Sequence, residues 1–123
     1  LGSQGLKELI DRTAEIPLVF QPGTSWRYSV SVDIQGYIVE KLSGQSLGQF
    51  MEQRIFKPLK MTDTAFFAPP DKASRLASLY VFDRDQRKIV EAKQIFGNDV
   101  PTYRAPPANE SGGGGLVGTT MDY

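Results

Sequence analysis

The chain contains no cysteine and no histidine, and these two absences exclude several kinds of chemistry. Without cysteine there is no disulfide framework, no thiolate nucleophile and no thiolate metal site. Without histidine the chain has neither a Ser-His-Asp triad nor an imidazole ligand. We therefore expect no metal and no other cofactor.

The chain also lacks an excess of charge and a long apolar run. Lys and Arg together number 14, as do Asp and Glu, so no general electrostatic attraction to nucleic acid is expected. No apolar run approaches the roughly 20 residues of a membrane helix, so no membrane span is expected. The first residues lack the order of a signal peptide, which leaves the bacterial cytoplasm and the periplasm both open. The length, 123 residues, suits one domain or subdomain.

Apolar residues at helical spacing predict two helices in the first part of the chain. The first covers about residues 4–15, with Ser3 as its N-cap. The second begins near Val32 with Ser31 as its cap, and Gly44 suits the left-handed position that closes a helix. Its apolar stripe consists of Ile34, Ile38, Val39 and Leu42.

A third helix is predicted from Ser46, its N-cap, to Pro58, which ends it. Its apolar face should pack on the second helix, and consists of Leu47, Phe50, Met51, Ile55 and Phe56. The match of residues 44–48 to the pattern Gly-x-Ser-x-Gly is formal, because a nucleophile elbow lies between a strand and a helix and needs a histidine. Ser46 is therefore interpreted as a cap.

The second half of the chain predicts less regular structure. Asp71 can cap a short helix carrying Ala73, Leu76 and Ala77. Residues 79–82 and 88–90 flank a polar loop of about five residues, the pattern of a small hairpin. Residues 97–110 contain three prolines and predict a loop. The fold class expected from these elements is mainly α with a small β-hairpin.

Four glycines follow Ser111 and invite comparison with a phosphate-binding loop. A P-loop needs a Lys-Ser or Lys-Thr pair at the start of the next helix, and none follows Gly115. The alternative is a tight passage where two stretches of backbone approach closely. A Thr-capped helix start would come after it.

Tyr28 follows the turn-forming Pro22-Gly23 pair, which predicts that the tyrosine lies on a loop rather than inside a helix. A free phenol has a pKa near 10 and is a poor base at neutral pH, but cationic neighbours can make it a proton relay. From the residues alone, Trp26 and Tyr28 can be interpreted as aromatic anchors of the loop. This interpretation is the favoured one when only the residues are considered.

Four stretches in a fixed order resemble the serine β-lactamase-like superfamily. They are Pro22-Gly23-x-x-Trp26-x-Tyr28-Ser29, Gly36-Tyr37-Ile38-Val39-Glu40-Lys41-x-Ser43-Gly44-x-Ser46-Leu47, Arg54-Ile55-Phe56-x-Pro58-Leu59-x-Met61-x-Asp63-Thr64 and Ser111-Gly112-Gly113-Gly114-Gly115-Leu116-Val117. The resemblance spans about residues 5–67 and 111–123. It is greatest to the family VIII carboxylesterases and other hydrolases that resemble class C β-lactamases and penicillin-binding proteins.

The resemblance implies that Tyr28 is the general base and acid of an acyl transfer through a serine ester. It places Trp26, Ser29 and Val30 along the substrate cleft. The family's nucleophile lies in a Ser-x-x-Lys motif, which this sequence does not contain, so the nucleophile is expected upstream of Leu1 and this chain alone is expected to be inactive.

The resemblance also implies a domain organisation. Residues 1–110 would form the helical subdomain of the β-lactamase/transpeptidase-like α+β fold and carry the tyrosine-motif loop. Residues 111–123 would be a Gly-rich segment returning toward an α/β domain that the chain does not contain. A helical subdomain separated from its sheet would expose an apolar face, which predicts self-association.

Two positions depart from the family's pattern. Val30 stands where class C β-lactamases place an asparagine, which favours an ester substrate. Lys60 stands where the family often has glycine, so a left-handed turn there would strain a non-glycine residue. The expected function is carboxylic ester hydrolysis, and the substrate is a small-molecule ester or a β-lactam. Two alternatives are a β-lactamase or D-Ala-D-Ala carboxypeptidase, and a non-catalytic helical binding module.

Overall fold

The structure is a computed structural model that describes residues 5–95 and 98–123, and for Ile95 and Asn98 only the backbone. Three helices form its first half, α1 at Leu6–Ala14, α2 at Ser31–Ser43 and α3 at Leu47–Met51. α1 packs on α2, and α2 packs on α3, as the apolar face predicted for the third helix requires. The side chain of Ser3, the predicted cap of the first helix, lies outside the described residues, and Gly5 occupies the N-cap position.

α2 begins one residue earlier than predicted. Val30 occupies the N-cap, and its carbonyl accepts the first helical hydrogen bond from the Ile34 amide at 3.1 Å. The prediction of Ser31 as the cap is wrong, because Ser31 is already helical and no side chain caps this end. Gly44 does close the helix in the left-handed region, at φ 68°. Part of the predicted apolar stripe is not buried within the described chain, since Leu42 is 85% exposed.

Ser46 caps α3 as predicted, but the helix is not regular up to Pro58. A π-helical turn occupies Glu52–Phe56, with the Lys57 amide donating to the Glu52 carbonyl at 2.8 Å. In a regular α-helix Phe56 would point about 180° away from Leu47. The wider turn accommodates one extra residue and rotates Phe56 back by about 100°, so that both side chains are buried.

Lys60 adopts φ 60°, so a non-glycine residue does occupy the left-handed turn after this helix. The Met61 amide donates to the Phe56 carbonyl at 2.8 Å, and the Lys60 amide donates to the Lys57 carbonyl at 3.1 Å. These two bonds form a Schellman motif with Lys60 at the C′ position. The chain then continues to Asp63 and Thr64, which form hydrogen bonds with Asp122 in residues 111–123.

The second half of the chain has short elements. The predicted short helix is only a 3-10 turn at Ala73–Arg75, and Asp71 does not cap it. The predicted hairpin is confirmed, with β1 at Tyr80–Asp83 antiparallel to β2 at Lys88–Glu91. A second pair, β3 at Gln94–Ile95 and β4 at Asn98–Asp99, enters the region predicted as a loop from residue 97 onward.

The core lies between the helices and the segment that follows them. The buried apolar side chains are Leu6, Leu47, Phe56, Phe66, Ala68 and Ala92. Residues 111–123 return across this core, where the Ala65 and Val117 backbones exchange two hydrogen bonds in an antiparallel bridge. The observed architecture is therefore mainly α with a small hairpin, as predicted. None of the helices among the described residues is long and apolar enough to span a membrane.

Candidate functional site on the tyrosine loop

The tyrosine motif lies on a loop between a tight turn and the start of α2. Pro22 and Gly23 occupy the central positions of the turn, and Gly23 has φ 81°, the pattern of a type II turn. The turn is closed by the Thr24 amide and hydroxyl, which both donate to the Gln21 carbonyl, at 3.2 and 2.7 Å. The prediction that Tyr28 lies on a loop is confirmed.

The four residues singled out from the sequence have different surroundings. Trp26 and Tyr28 are each 83% exposed, and Ser29 is exposed as well. Val30 is half-buried, because it forms the N-cap of α2. Within residues 5–95 and 98–123 the phenol of Tyr28 has no hydrogen-bond partner. The loop therefore presents an aromatic surface and a free phenol, and no hydrogen bond in the described chain joins this phenol to Arg27 or to another cation.

The Gly-rich segment (residues 111–123) crosses the first turns of α2 immediately after the tyrosine loop. A Cβ on Gly112 would lie 2.1 Å from the Val32 carbonyl oxygen, and a Cβ on Gly36 would lie 3.4 Å from Gly112 Cα. Gly112 requires glycine because two backbones approach closely there. At Gly36 the tighter contact of an added Cβ would be with the Leu47 side chain, whose Cδ2 would lie 2.9 Å away. The interpretation of the glycine run as a tight passage is confirmed.

A side-chain pair fixes this crossing. The Ser111 hydroxyl donates to Asp33 Oδ1 at 2.5 Å and accepts from the Gly113 amide at 3.1 Å. Both side chains are half-buried. The sequence interpretation did not single out Asp33, because its partner lies 78 residues away and leaves no local spacing signal.

The other end of the Gly-rich segment is held by the carboxylate of Asp122. Asp122 Oδ2 accepts from the Asp63 amide and from the Thr64 hydroxyl, each at 2.8 Å. Thr119 caps a turn where a helix start was predicted, since its hydroxyl accepts from the Asp122 amide at 3.2 Å but no helix is assigned among residues 119–123. The segment is thus attached to α2 at one end and to the residues after the π-helical turn at the other.

Asp63 is the centre of a small charge cluster beside this second attachment. Its carboxylate pairs with Arg75 and with Lys72, each at 2.8 Å. The hydrogen bonds from Arg75 and then Lys72 stabilise the charged form and lower the pKa of Asp63 to about 2. The cluster has a structural explanation, because it joins the 3-10 turn to the chain that follows the helices.

A groove of about 910 Å³ in the described part of the chain shares no lining residue with the tyrosine loop. Its apolar lining includes Phe56, Phe66, Ala68 and Val117, and none of the residues 26–30 contributes to it. Ser46 also borders it, but the Ser46 hydroxyl accepts from the Gln49 amide at 3.3 Å in a capping box. We therefore centre the candidate site on the tyrosine loop, where the chemistry-bearing groups are.

Comparisons with known proteins identify relatives that contain this arrangement of elements. The lovastatin esterase of Penicillium rubens is 34% identical over 94% of this chain and 28% of its own length. Esterase EstB of Burkholderia gladioli is 30% identical over 95% of this chain and 32% of its own length. The solved structure of EstCE1, described as a hydrolase with promiscuous acyltransferase activity, is 25% identical and has a TM-score of 0.80 over 99% of this chain and 34% of that one.

The chain thus spans about a third of the length of these relatives. A family model described as Beta-lactamase matches residues 2–123, almost the whole chain. The order of the motifs around Tyr28, the mainly helical fold and this match agree, and the chain belongs to the Beta-lactamase family.

Proposed function

We propose that this chain is the helical subdomain of a serine hydrolase that cleaves carboxylic esters, with Tyr28 as general base and acid. The observation that supports this most directly is the exposure of the Tyr28 phenol, which is unpaired in the described chain and follows a rigid turn. A phenol becomes a useful base only beside a cation. A second part of the protein would supply that cation.

The proposed reaction is a two-step acyl transfer. Tyr28 accepts the proton of a serine hydroxyl, and the serine oxygen attacks the ester carbonyl carbon. The tetrahedral intermediate expels an alkoxide, which takes the proton from Tyr28 and leaves as the alcohol. Water then attacks the acyl-serine with Tyr28 again accepting and returning the proton, which releases the carboxylic acid and the free enzyme. The serine and its lysine would lie in sequence that precedes Leu1.

Trp26, Ser29 and Val30 are proposed to line the substrate cleft. Trp26 would supply apolar surface, because it is 83% exposed and lies two residues before Tyr28. Val30 offers an apolar side chain where an amide-recognising site would need a hydrogen-bonding group. The names of two relatives, a lovastatin esterase and Esterase EstB, also favour an ester as the substrate.

The proposed domain organisation keeps the boundaries expected from the sequence. Residues 1–110 form the helical subdomain, and residues 111–123 lead back toward an α/β domain outside this chain. Exposed apolar side chains support this arrangement, including Leu18, Val19, Leu42 and Met121. Such surface is expected to be covered in the whole protein.

The test compares hydrolysis of p-nitrophenyl butyrate and nitrocefin by the full-length protein and by Tyr28→Phe. The variant should lower kcat for the ester by about 10²- to 10⁴-fold, the usual effect of removing a general base. Tyr80→Phe is the matched control, because Tyr80 is 60% exposed on β1 and should leave kcat unchanged. The chain of 123 residues alone should be inactive.

Each alternative has its own signature in this experiment. Preference for nitrocefin over the ester would indicate a β-lactamase. A full-length protein without activity on either substrate would favour a non-catalytic binding module. Activity in the short chain would mean that its nucleophile lies within it, and Ser46 would then be the first serine to replace. Full activity in Tyr28→Phe would assign Tyr28 a structural role.

A further inference from the structure

Hydrogen bonds within the described chain fix the tyrosine loop only at its two ends. Within the described chain, no backbone hydrogen bond and no side-chain hydrogen bond reaches residues 25–29. The turn closed by Thr24 fixes one end, and Val30 fixes the other as the N-cap of α2. Since consecutive Cα atoms are about 3.8 Å apart, Tyr28 lies within about 7.6 Å of Val30. The position of Tyr28 therefore depends on where the first turn of α2 lies.

That first turn is clamped from outside the helix. Asp33, the third residue of α2, accepts the Ser111 hydroxyl at 2.5 Å. Gly112 brings the backbone of the Gly-rich segment against the Val32 carbonyl, with room for hydrogen only. Ser111 in turn is oriented by the Gly113 amide at 3.1 Å. Ser111 and Gly112 thus contact two consecutive residues of α2, Val32 and Asp33, which lie two and three positions after Val30.

We infer that Asp33 and Ser111 are positioning residues for Tyr28, which they hold through the first turn of α2. The inference rests on the proposed function of Tyr28. Within the described chain neither side chain forms a hydrogen bond with the Tyr28 phenol, and neither takes part in proton transfer. Their hydrogen bond fixes the direction in which α2 starts. Ser29 and Val30 connect Tyr28 to this first turn, so the position of the phenol follows that direction.

The expected effect is on kcat rather than on substrate binding. A general base must lie within about 0.5 Å of its productive position, and a displacement of 1 Å can lower the rate about 100-fold. Removal of the Asp33 to Ser111 bond would free the first turn to shift by part of that distance. We expect Ser111→Ala and Asp33→Ala to lower kcat by about tenfold or more, with KM changed by less than about threefold.

The experiment is a double-mutant cycle in the full-length protein with p-nitrophenyl butyrate. The kcat of Asp33→Ala and of Ser111→Ala is measured in the protein that retains Tyr28 and again in the Tyr28→Phe variant. If the two residues act by positioning the phenol, their effect on kcat disappears once the phenol is removed. Asp33→Asn should restore much of the activity, because its amide oxygen can still accept the Ser111 hydroxyl.

Asp122→Ala is the matched control, since it breaks two hydrogen bonds at the far end of the same Gly-rich segment. It should lower the melting temperature without coupling to Tyr28. Ser111→Ala removes one hydroxyl and keeps the test available if Asp33→Ala does not fold.

Two results would overturn the inference. One is an effect of Asp33→Ala or Ser111→Ala that persists at full size in the Tyr28→Phe background, as general destabilisation would produce. The other is wild-type kcat in both single variants while Tyr28→Phe is impaired. A different result would contradict the proposed function of Tyr28, namely a Tyr28→Phe variant whose kcat equals that of the wild type.

Discussion

The Gly112 backbone lies so close to the Val32 carbonyl that a Cβ at position 112 would approach the oxygen to 2.1 Å. No side-chain rearrangement can relieve this contact, because both partners are backbone. Gly114, two residues later, has nothing within 4 Å of its hypothetical Cβ. The two glycines therefore form a matched pair within one segment.

Gly112→Ala should lower the free energy of unfolding by about 3 kcal/mol, the upper part of the usual range for overpacking. Gly114→Ala should change it by less than about 1 kcal/mol, because the added methyl group meets open space. Urea unfolding of both variants in the full-length protein measures the difference. Equal effects of the two substitutions would contradict the close crossing of α2 by the Gly-rich segment.

Ser46→Ala should lower the free energy of unfolding by about 1 kcal/mol and leave esterase activity intact. The reason is that the Ser46 hydroxyl accepts from the Gln49 amide, and the Gln49 side chain accepts from the Ser46 amide, in a capping box. Ser46→Asp keeps an accepting oxygen and should retain most of the stability. Loss of ester hydrolysis in a folded Ser46→Ala variant would instead identify Ser46 as the nucleophile.

Lys60→Gly should stabilise the protein by about 0.5–1 kcal/mol. The left-handed conformation at φ 60° costs a non-glycine residue about 1–2 kcal/mol, and the greater chain entropy of glycine offsets part of the gain. Lys57→Gly is the control, because Lys57 is helical at φ −61° and should lose stability instead. A melting temperature that falls in Lys60→Gly would show that the lysine side chain contributes more than the strain costs.

The stability of the protein should fall between about pH 4 and pH 2 through Asp63. Its pKa is lowered from 3.8 to about 2 by hydrogen bonds from Arg75 and Lys72. A lowered pKa in the folded state means that the carboxylate stabilises the fold above the unfolded pKa and loses this effect as the pH falls through the folded one. The difference in unfolding free energy between wild type and Asp63→Asn should therefore shrink on acidification, and a constant difference across this range would refute the assignment.

The isolated chain should self-associate or bind the dye ANS. Leu18, Val19 and Met121 are among the exposed large apolar side chains, and their exposure is expected to be relieved only in the whole protein. Size-exclusion chromatography and ANS fluorescence of the 123-residue chain and of the full-length protein provide the comparison. A compact, ANS-negative monomer of the short chain would contradict the proposed domain organisation.

Features that depend on a few neighbouring residues were predictable from the sequence. Gly44 closes α2 and Ser46 caps α3 because each uses its own backbone conformation or a partner three residues away. The loop position of Tyr28 follows from Pro22 and Gly23 in the same way. Local chemistry determines these features, so local sequence predicts them.

Features that depend on distant partners were not predictable in the same way. The N-cap of α2 is Val30 instead of Ser31, next to the crossing of the Gly-rich segment at Val32, which the propensity of serine for caps does not anticipate. The π-helical turn lets Phe56 join Leu47 in the core, a demand of packing rather than of propensity. The candidate site was found through the resemblance around Tyr28, whereas Asp33 has no sequence signal because its partner is Ser111.

The attachments of the Gly-rich segment also have a consequence for how the chain folds. Ser111 reaches back 78 residues to Asp33, and Asp122 reaches back 59 residues to Asp63. Contacts of such long sequence separation require large loops to close, so they form after the local helical contacts and slow the approach to the native state. During synthesis the helices can form while the Gly-rich segment is still within the ribosome. We therefore expect docking of the segment to be the late, rate-limiting step, in which the start of α2 takes its final position.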